Sequence, residues 1–257
     1  MPKALPLPRW VDVLRDLVTR NLKENKDLIS YAFATHEGQA QNVQPRVRYV
    51  VHRGFVNERR KDGDGSDNDV KDPDGNELIS DKLVVTTDAR SPKARQLASS
   101  PSIELAWWLS ATQHQFRIVG NAYILPSPAL SSSSAFPFPA AKLAPYEGFD
   151  WEHERVRQFR KLSPELRASF FRPVPGTKIE DWGGKMEDLP QTLPESVDEA
   201  ENDEQKKQIE QALTNFALIV IDCTSVDLVD LGSMPNTRTL WTLDSSSDEW
   251  KEEALVP

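Results

Sequence analysis

At 257 residues the chain is long enough to bury a substantial core, and its 31 Lys and Arg against 40 Asp and Glu leave a net charge of −9. That balance repels polyanions and argues against general nucleic-acid binding. No run of about 18 apolar residues is available to cross a bilayer, the single cysteine, Cys223, excludes an intrachain disulfide, and MPKALPLPRW lacks the apolar stretch of a secretion signal, so a cytoplasmic protein is expected.

After Pro8, the residues Trp10, Leu14, Leu17, Val18 and Leu22 recur at helical spacing and predict an amphipathic helix ending near Asn21 or Asn25. LISYAFAT then alternates through Ile29, Tyr31 and Phe33, the period of a half-buried strand. RVRYVVHRGF, from Arg46, continues the β pattern with Val47, Tyr49 and Val51 on one face and Arg46, Arg48, Val50 and His52 on the other. KLVVTT (82–87), IELAWWLS (103–110) and QFRIVGNAYIL (115–125) are further strands rich in β-branched and aromatic residues, with a helix over 92–99 between the first two. FALIVIDC, VDLVDL, RTLWTL and EWKEEALV predict up to four more, and Cys223 reads as a small hydrophobe in the first of them. Nothing repeats at a fixed period, which excludes solenoids and propellers. The expected fold is mainly β with flanking helices, a single domain over 1–257.

Three inserts interrupt this pattern: a charged, Gly-bearing stretch at about 57–77, a Ser/Pro-rich one at 126–145, and an acidic one at 186–210. The first two are expected to be mobile surface loops, and the third a bland connector with a solvated helix leading into the strand at Phe216. The aspartates of DGDGSDNDV do not make an EF-hand, because Asp67 stands where that loop requires Gly and Pro73 where it requires Glu.

The chain has no G-x-S-x-G, Walker loop, G-x-G-x-x-G or C-x-x-C, and its four histidines are scattered, so no metal site is expected. What remains is a polar set on strands: Arg48, Thr86, Thr87, Ser91, Lys93, Gln115 and Arg117. A helix start at Ser91 offers free backbone N–H groups and the positive end of a dipole, and two cations with hydroxyl donors suit a phosphate monoester. Gln115 and Arg117 share a strand face, and a side-chain amide can pair with the edge of a planar heterocycle. Phosphate and heterocycle together suggest a nucleotide-like cofactor. The plainer reading keeps Ser91 as an N-cap and pairs the arginines with surface acids such as Glu104.

In the same order, RYVVHRGF, TTDARSPKARQL, WWLSATQHQFRIVG and the terminal WKEEALVP are similar to four motifs of the pyridoxamine 5'-phosphate oxidase-like flavoproteins, which bind FMN in a split β-barrel. PRWVDVLRDLVTRNL, RSPKARQL and the VPG at 174–176 resemble an FMN-binding subgroup of that family. The resemblance implies that Arg48 and Lys93 hold the FMN phosphate with Ser91 nearby, that Tyr49, Val50, Val51, Thr86 and Thr87 border the flavin, and that Gln115 bonds its pyrimidine edge. Arg238 matches a further FMN contact, and His52, Arg53 and Trp108 are candidates for the substrate side. It also implies a homodimer with FMN between subunits and a small-molecule substrate. The chain departs from the family where its substrate is read: GSMPNTR lacks the family's substrate-reading Arg and His, and Pro92, Arg53 and Ala254 replace Arg, Lys and Arg. An FMN-dependent oxidoreductase with altered substrate residues is therefore the leading expectation. A genuine pyridoxamine or pyridoxine 5'-phosphate oxidase and a non-catalytic flavin carrier are its alternatives.

Overall fold

The computed structural model of the protein describes residues 2–38, 42–59, 71–131 and 135–257. The DGDGSDNDV run and residues 132–134 of the Ser/Pro-rich insert lie outside them. Helix α1 (Arg9–Glu24) forms as its spacing predicts, burying Trp10, Val11, Leu14, Leu17 and Val18. Asn21 ties its last turn to the sheet, donating from Nδ2 to Thr112 Oγ1 at 2.8 Å and accepting from Ala111 N at 3.0 Å.

Eight antiparallel strands follow: β1 (Ser30–Glu37), β2 (Gln44–Phe55), β3 (Leu83–Asp88), β4 (Ser102–Leu109), β5 (His114–Leu125), β6 (Phe216–Asp230), β7 (Thr237–Asp244) and β8 (Glu249–Leu255). They run in the order β3-β2-β1-β4-β5-β6-β7-β8, and β3 pairs back onto β6. Six strands therefore close a barrel, and β7 and β8 extend it as a flap. Helix α2 (Pro92–Ser99) occupies the residues predicted for it, capped by Ser91 Oγ, which accepts from Ala94 N at 3.3 Å.

The FALIVIDC and VDLVDL segments form one strand rather than two. A register shift opposite Val119/Gly120 lets β6 continue through Thr224. Gly120 permits that close approach, since a Cβ there would lie 2.3 Å from the carbonyl oxygen of Asp222.

Along the first half of β6 the side chains alternate between two cores. Ala217, Ile219 and Ile221 point into the barrel with Phe33, Leu105, Trp107 and Phe116, whereas Phe216, Leu218 and Val220 join an outer cluster. Helices α5 (Trp151–Arg160), α6 (Pro164–Ser169) and α8 (Asp203–Asn215) cover that outer cluster through Phe159, Ala168, Ile209 and Ala212. The acidic insert is thus part of the packing rather than a bland connector: Leu193, Ile209 and Ala212 are buried. The Ser/Pro-rich insert likewise holds two short helices, α3 (Pro128–Ser131) and α4 (Ala140–Leu143), with Leu143 buried. Each large apolar side chain so covered contributes about 1.5–3 kcal/mol, enough to order segments whose overall composition reads as loop. Among the described residues no helix is long and apolar enough to cross a membrane, and no three His, Cys, Asp or Glu side chains group as a metal site.

Candidate functional site

Strands β2 and β3 and the start of α2 form one wall of a cleft of about 540 Å³. Eight of the residues singled out from the sequence line it together: Tyr49, Val50, Val51, Arg53, Thr86, Thr87, Ser91 and Lys93. The facing wall was not anticipated as a unit. It comes from α6, the short helix α7 (Ile179–Trp182) and the 172–177 strap, including Phe170, Arg172, Val174, Ile179 and Trp182. The VPG motif sits within that strap.

At one end of the cleft Ser91 and Thr87 are buried with their hydroxyl oxygens 3.3 Å apart, at the N-cap of α2. Lys93 lies on the first turn. Burial, reinforced by the positive charge of Arg48 and only partly offset by Asp88, lowers its ammonium to about 8. Asp88 is itself engaged by Arg90, which donates from Nε at 3.0 Å and from Nη2 at 2.7 Å. This corner therefore holds more positive charge than its own carboxylates neutralise, next to hydroxyl donors and a helix N-terminus.

Arg48, on β2, does not itself line the cleft, but its charge acts on Lys93, and it is held by residues that sequence reasoning passed over. Its Nη1 donates to Thr35 Oγ1 at 2.5 Å and its Nη2 to Gln96 Oε1 at 2.7 Å, while Thr35 Oγ1 donates to the same Gln96 oxygen at 2.7 Å. Gln96 is a polar residue on the buried face of α2, the one local signal that could have flagged it. Arg90 was also passed over. Besides clasping Asp88, it donates to the carbonyls of Phe170 at 3.3 Å and Arg172 at 2.9 Å, tying the two walls together.

His52, expected on the substrate side, lies in the barrel interior instead. It is buried between Tyr31 and Trp107, with ring centroids 6.2 and 4.9 Å away, because the barrel takes the Val50/His52 face of β2 inward. The Val47/Tyr49 face is left outside, where Tyr49 is 78% and Val47 71% exposed.

Trp108, Gln115 and Arg238 are not brought into the cleft within one chain. They stand in register on the outer face of the sheet, Trp108 opposite Gln115, Gln115 opposite Val229, and Val229 opposite Arg238. One row away Arg117 pairs with Asp227, not Glu104, and Arg238 donates to the same carboxylate from Nε at 3.0 Å and Nη2 at 2.9 Å. Burial raises the Asp227 carboxyl, but the hydrogen bond from Arg238 and the charge of Arg117 outweigh it and hold the group below the usual carboxylate range. This outer face carries Val47, Tyr49, Trp108 and Val119 exposed, and through Tyr49 it borders the cleft.

Residues 7–126 match the family model of the pyridoxamine 5'-phosphate oxidase, FMN-binding domain. The family resemblance read from the strand motifs is borne out by that match, and FMN is the cofactor by which the matched domain is described. Pyridoxine/pyridoxamine 5'-phosphate oxidase 2 of Arabidopsis thaliana is 32% identical over 84 residues, covering 33% of this chain and 32% of that protein, so the match spans about a third of the curated relative's length. A pyridoxamine 5'-phosphate oxidase-related, FMN binding protein of Nostoc punctiforme PCC 73102 has the same fold at a TM-score of 0.64 and 22% identity, over 98% of this chain and 100% of that one. PhzG of Burkholderia lata 383, solved with tetrahydrophenazine-1-carboxylic acid, gives a TM-score of 0.56 at 13% identity, over 98% and 94% of the two chains.

Proposed function

We propose that the protein binds FMN in the β2–β3–α2 cleft as a homodimer and acts as an FMN-dependent oxidoreductase on a small-molecule substrate. The observation that carries this reading is Lys93 on the first turn of α2, lining a cleft of about 540 Å³ together with the buried hydroxyls of Thr87 and the N-cap Ser91, with burial and the charge of Arg48 lowering its ammonium to about 8. A phosphate dianion suits that corner, because it restores the lysine's charge and accepts from the Ser91 and Thr87 hydroxyls. Arg48 supplies the second cation, and the backbone of Tyr49 to Val51 borders the ring. When bound, FMN supplies hydride or electron transfer at its isoalloxazine ring, which the protein orients and shields from water.

The outer face supports the dimer. Its exposed Val47, Tyr49, Trp108 and Val119 form an apolar surface contiguous with the cleft. Pairing two copies through it covers that surface and lets Gln115 and Arg238 of each subunit serve the cleft of the other. The absorption spectrum of the purified protein tests the cofactor. A yellow protein with flavin absorption is expected, whereas colourless protein whose melting temperature ignores excess FMN overturns the reading.

A second reading, oxidation of pyridoxamine or pyridoxine 5'-phosphate by oxygen, is favoured by the name of the Arabidopsis relative. FMN-loaded protein then yields pyridoxal phosphate and hydrogen peroxide in equal amounts, and no turnover of either vitamer rules it out.

A further inference from the structure

Arg172 stands apart from the other arginines around the cleft. Arg90 is clasped by Asp88, Arg48 is oriented by Thr35, Gln96 and two backbone carbonyls, and Arg53 donates from Nε to Thr86 Oγ1 at 3.4 Å. Arg172 lines the cleft, yet among the described residues its guanidinium has no hydrogen-bond or ion-pair partner, and its Nε is buried with none. A buried donor left without a partner is costly and calls for an explanation, and at a cleft-lining arginine a bound anion supplies one.

The chain invests in placing this residue. Its carbonyl accepts from Arg90 Nη2 at 2.9 Å, and Arg90 is fixed in turn on Asp88, so the strap carrying Arg172 is anchored to the turn before α2. Gly176, with φ of +91°, brings the strap back against the helix start, where a Cβ would sit 3.8 Å from Pro92 Cγ. The remainder of that wall is mainly apolar, with Val174, Pro175, Ile179 and Trp182, and carries the hydroxyls of Ser169 and Thr177 as polar side chains. The only carboxylate among the cleft-lining residues is Asp88, which Arg90 already occupies.

We propose that Arg172 is a further anion anchor of the cleft, acting with Arg48 and Lys93, and that it receives a phosphate or carboxylate from a molecule bound there. This rests on the reading that the cleft takes FMN. Two sources carry that chemistry: the phosphate of the cofactor, and an anionic group on the substrate seated against the apolar wall. Either assignment gives the 172–186 segment a role in choosing the ligand, and excludes a cationic substrate from that wall.

The experiment compares wild type, Arg172→Met and Arg172→Lys, each checked for an unchanged melting temperature without ligand. FMN and riboflavin are titrated by flavin fluorescence, and inorganic phosphate is titrated into the flavin-loaded proteins by absorbance. If the cofactor is the source, Arg172→Met weakens FMN about tenfold or more and riboflavin hardly at all, and Arg172→Lys recovers part of the loss. If the substrate is the source, FMN affinity is unchanged, and phosphate perturbs the flavin spectrum of wild type but not of Arg172→Met. Equal FMN affinity with a phosphate response that is the same in both proteins, or absent from both, overturns the assignment while leaving the cofactor reading intact. Wild-type protein that takes up no flavin defeats the cofactor reading, and this assignment with it.

Discussion

Gln96 Oε1 accepts from Arg48 Nη2 at 2.7 Å, so a buried residue of α2 sets the direction of a guanidinium on β2. The two cations of the phosphate corner, Arg48 and Lys93, are thus positioned by one helix. Gln96→Ala frees the guanidinium without touching the ligand. FMN affinity is expected to fall about tenfold, the value of one hydrogen bond to a charged group at its lower end, with riboflavin affinity unchanged. Fluorescence titration with both ligands checks this, and equal losses for both would point to a general disturbance of the fold.

Lys93→Met is expected to weaken FMN at pH 7 by roughly 10–100-fold. In the ligand-free protein Lys93 loses its proton as pH passes about 8. Wild-type FMN affinity should therefore decline between pH 7 and 9.5, and this decline should be missing from Lys93→Met. The stability linkage has the opposite sense to that of a salt-bridged lysine. The folded-state value lies below the ordinary 10.5, so the cost of burying the charge is borne in full below about pH 8 and is relieved as pH rises towards 10.5. Urea midpoints of ligand-free protein at pH 7 and pH 10 should show wild type gaining on Lys93→Met over that interval.

Asp227 links Arg117 on β5 with Arg238 on β7. Asp227→Asn leaves two guanidiniums side by side on the outer face and is expected to cost about 1–3 kcal/mol at neutral pH, read from chemical denaturation. Because the carboxyl is held below its ordinary value, its contribution is complete above about pH 4 and is lost as pH falls through the lowered value. The difference between the two proteins should shrink from pH 5 towards pH 2.

Val47→Glu puts a charge on the proposed dimer face, at a residue already 71% exposed and not among those lining the cleft. The isolated chain should tolerate it with little change in secondary structure, while light scattering after gel filtration should move from dimer mass to monomer. Flavin occupancy should fall with it, because Gln115 and Arg238 then have no partner cleft to serve. A wild-type protein that runs as a monomer at micromolar concentration with full FMN occupancy would remove the need for the second subunit.

The barrel strands and α2 were legible because period-2 alternation and a Ser-Pro helix start are local signals. The face assignment on β2 was not. Val47, Tyr49 and Val51 are the more apolar set, yet the interior receives Val50 and His52, since the burial of a strand face is decided by what packs against it. The Arg48–Thr35–Gln96 contacts join residues 13 and 48 positions apart, beyond any local pattern. The outer helices were missed for a related reason. Phe159, Leu193 and Ile209 are single apolar anchors in polar segments, and only the matching face of β6 gives them something to bury against.

That strand bears on how the chain acquires its shape. β3 has β2 on one side and waits for β6 on the other, while β5 waits for the opposite edge of the same strand. Residues 7–126, the span of the family match, therefore leave the ribosome as an open sheet with two unsatisfied edges, and closure requires the arrival of residues 216–230. The intervening 90 residues or so are synthesised during that exposure. The helices they form shield the outside of the late strand, so the segment that delays closure also provides the layer against which the closing strand settles.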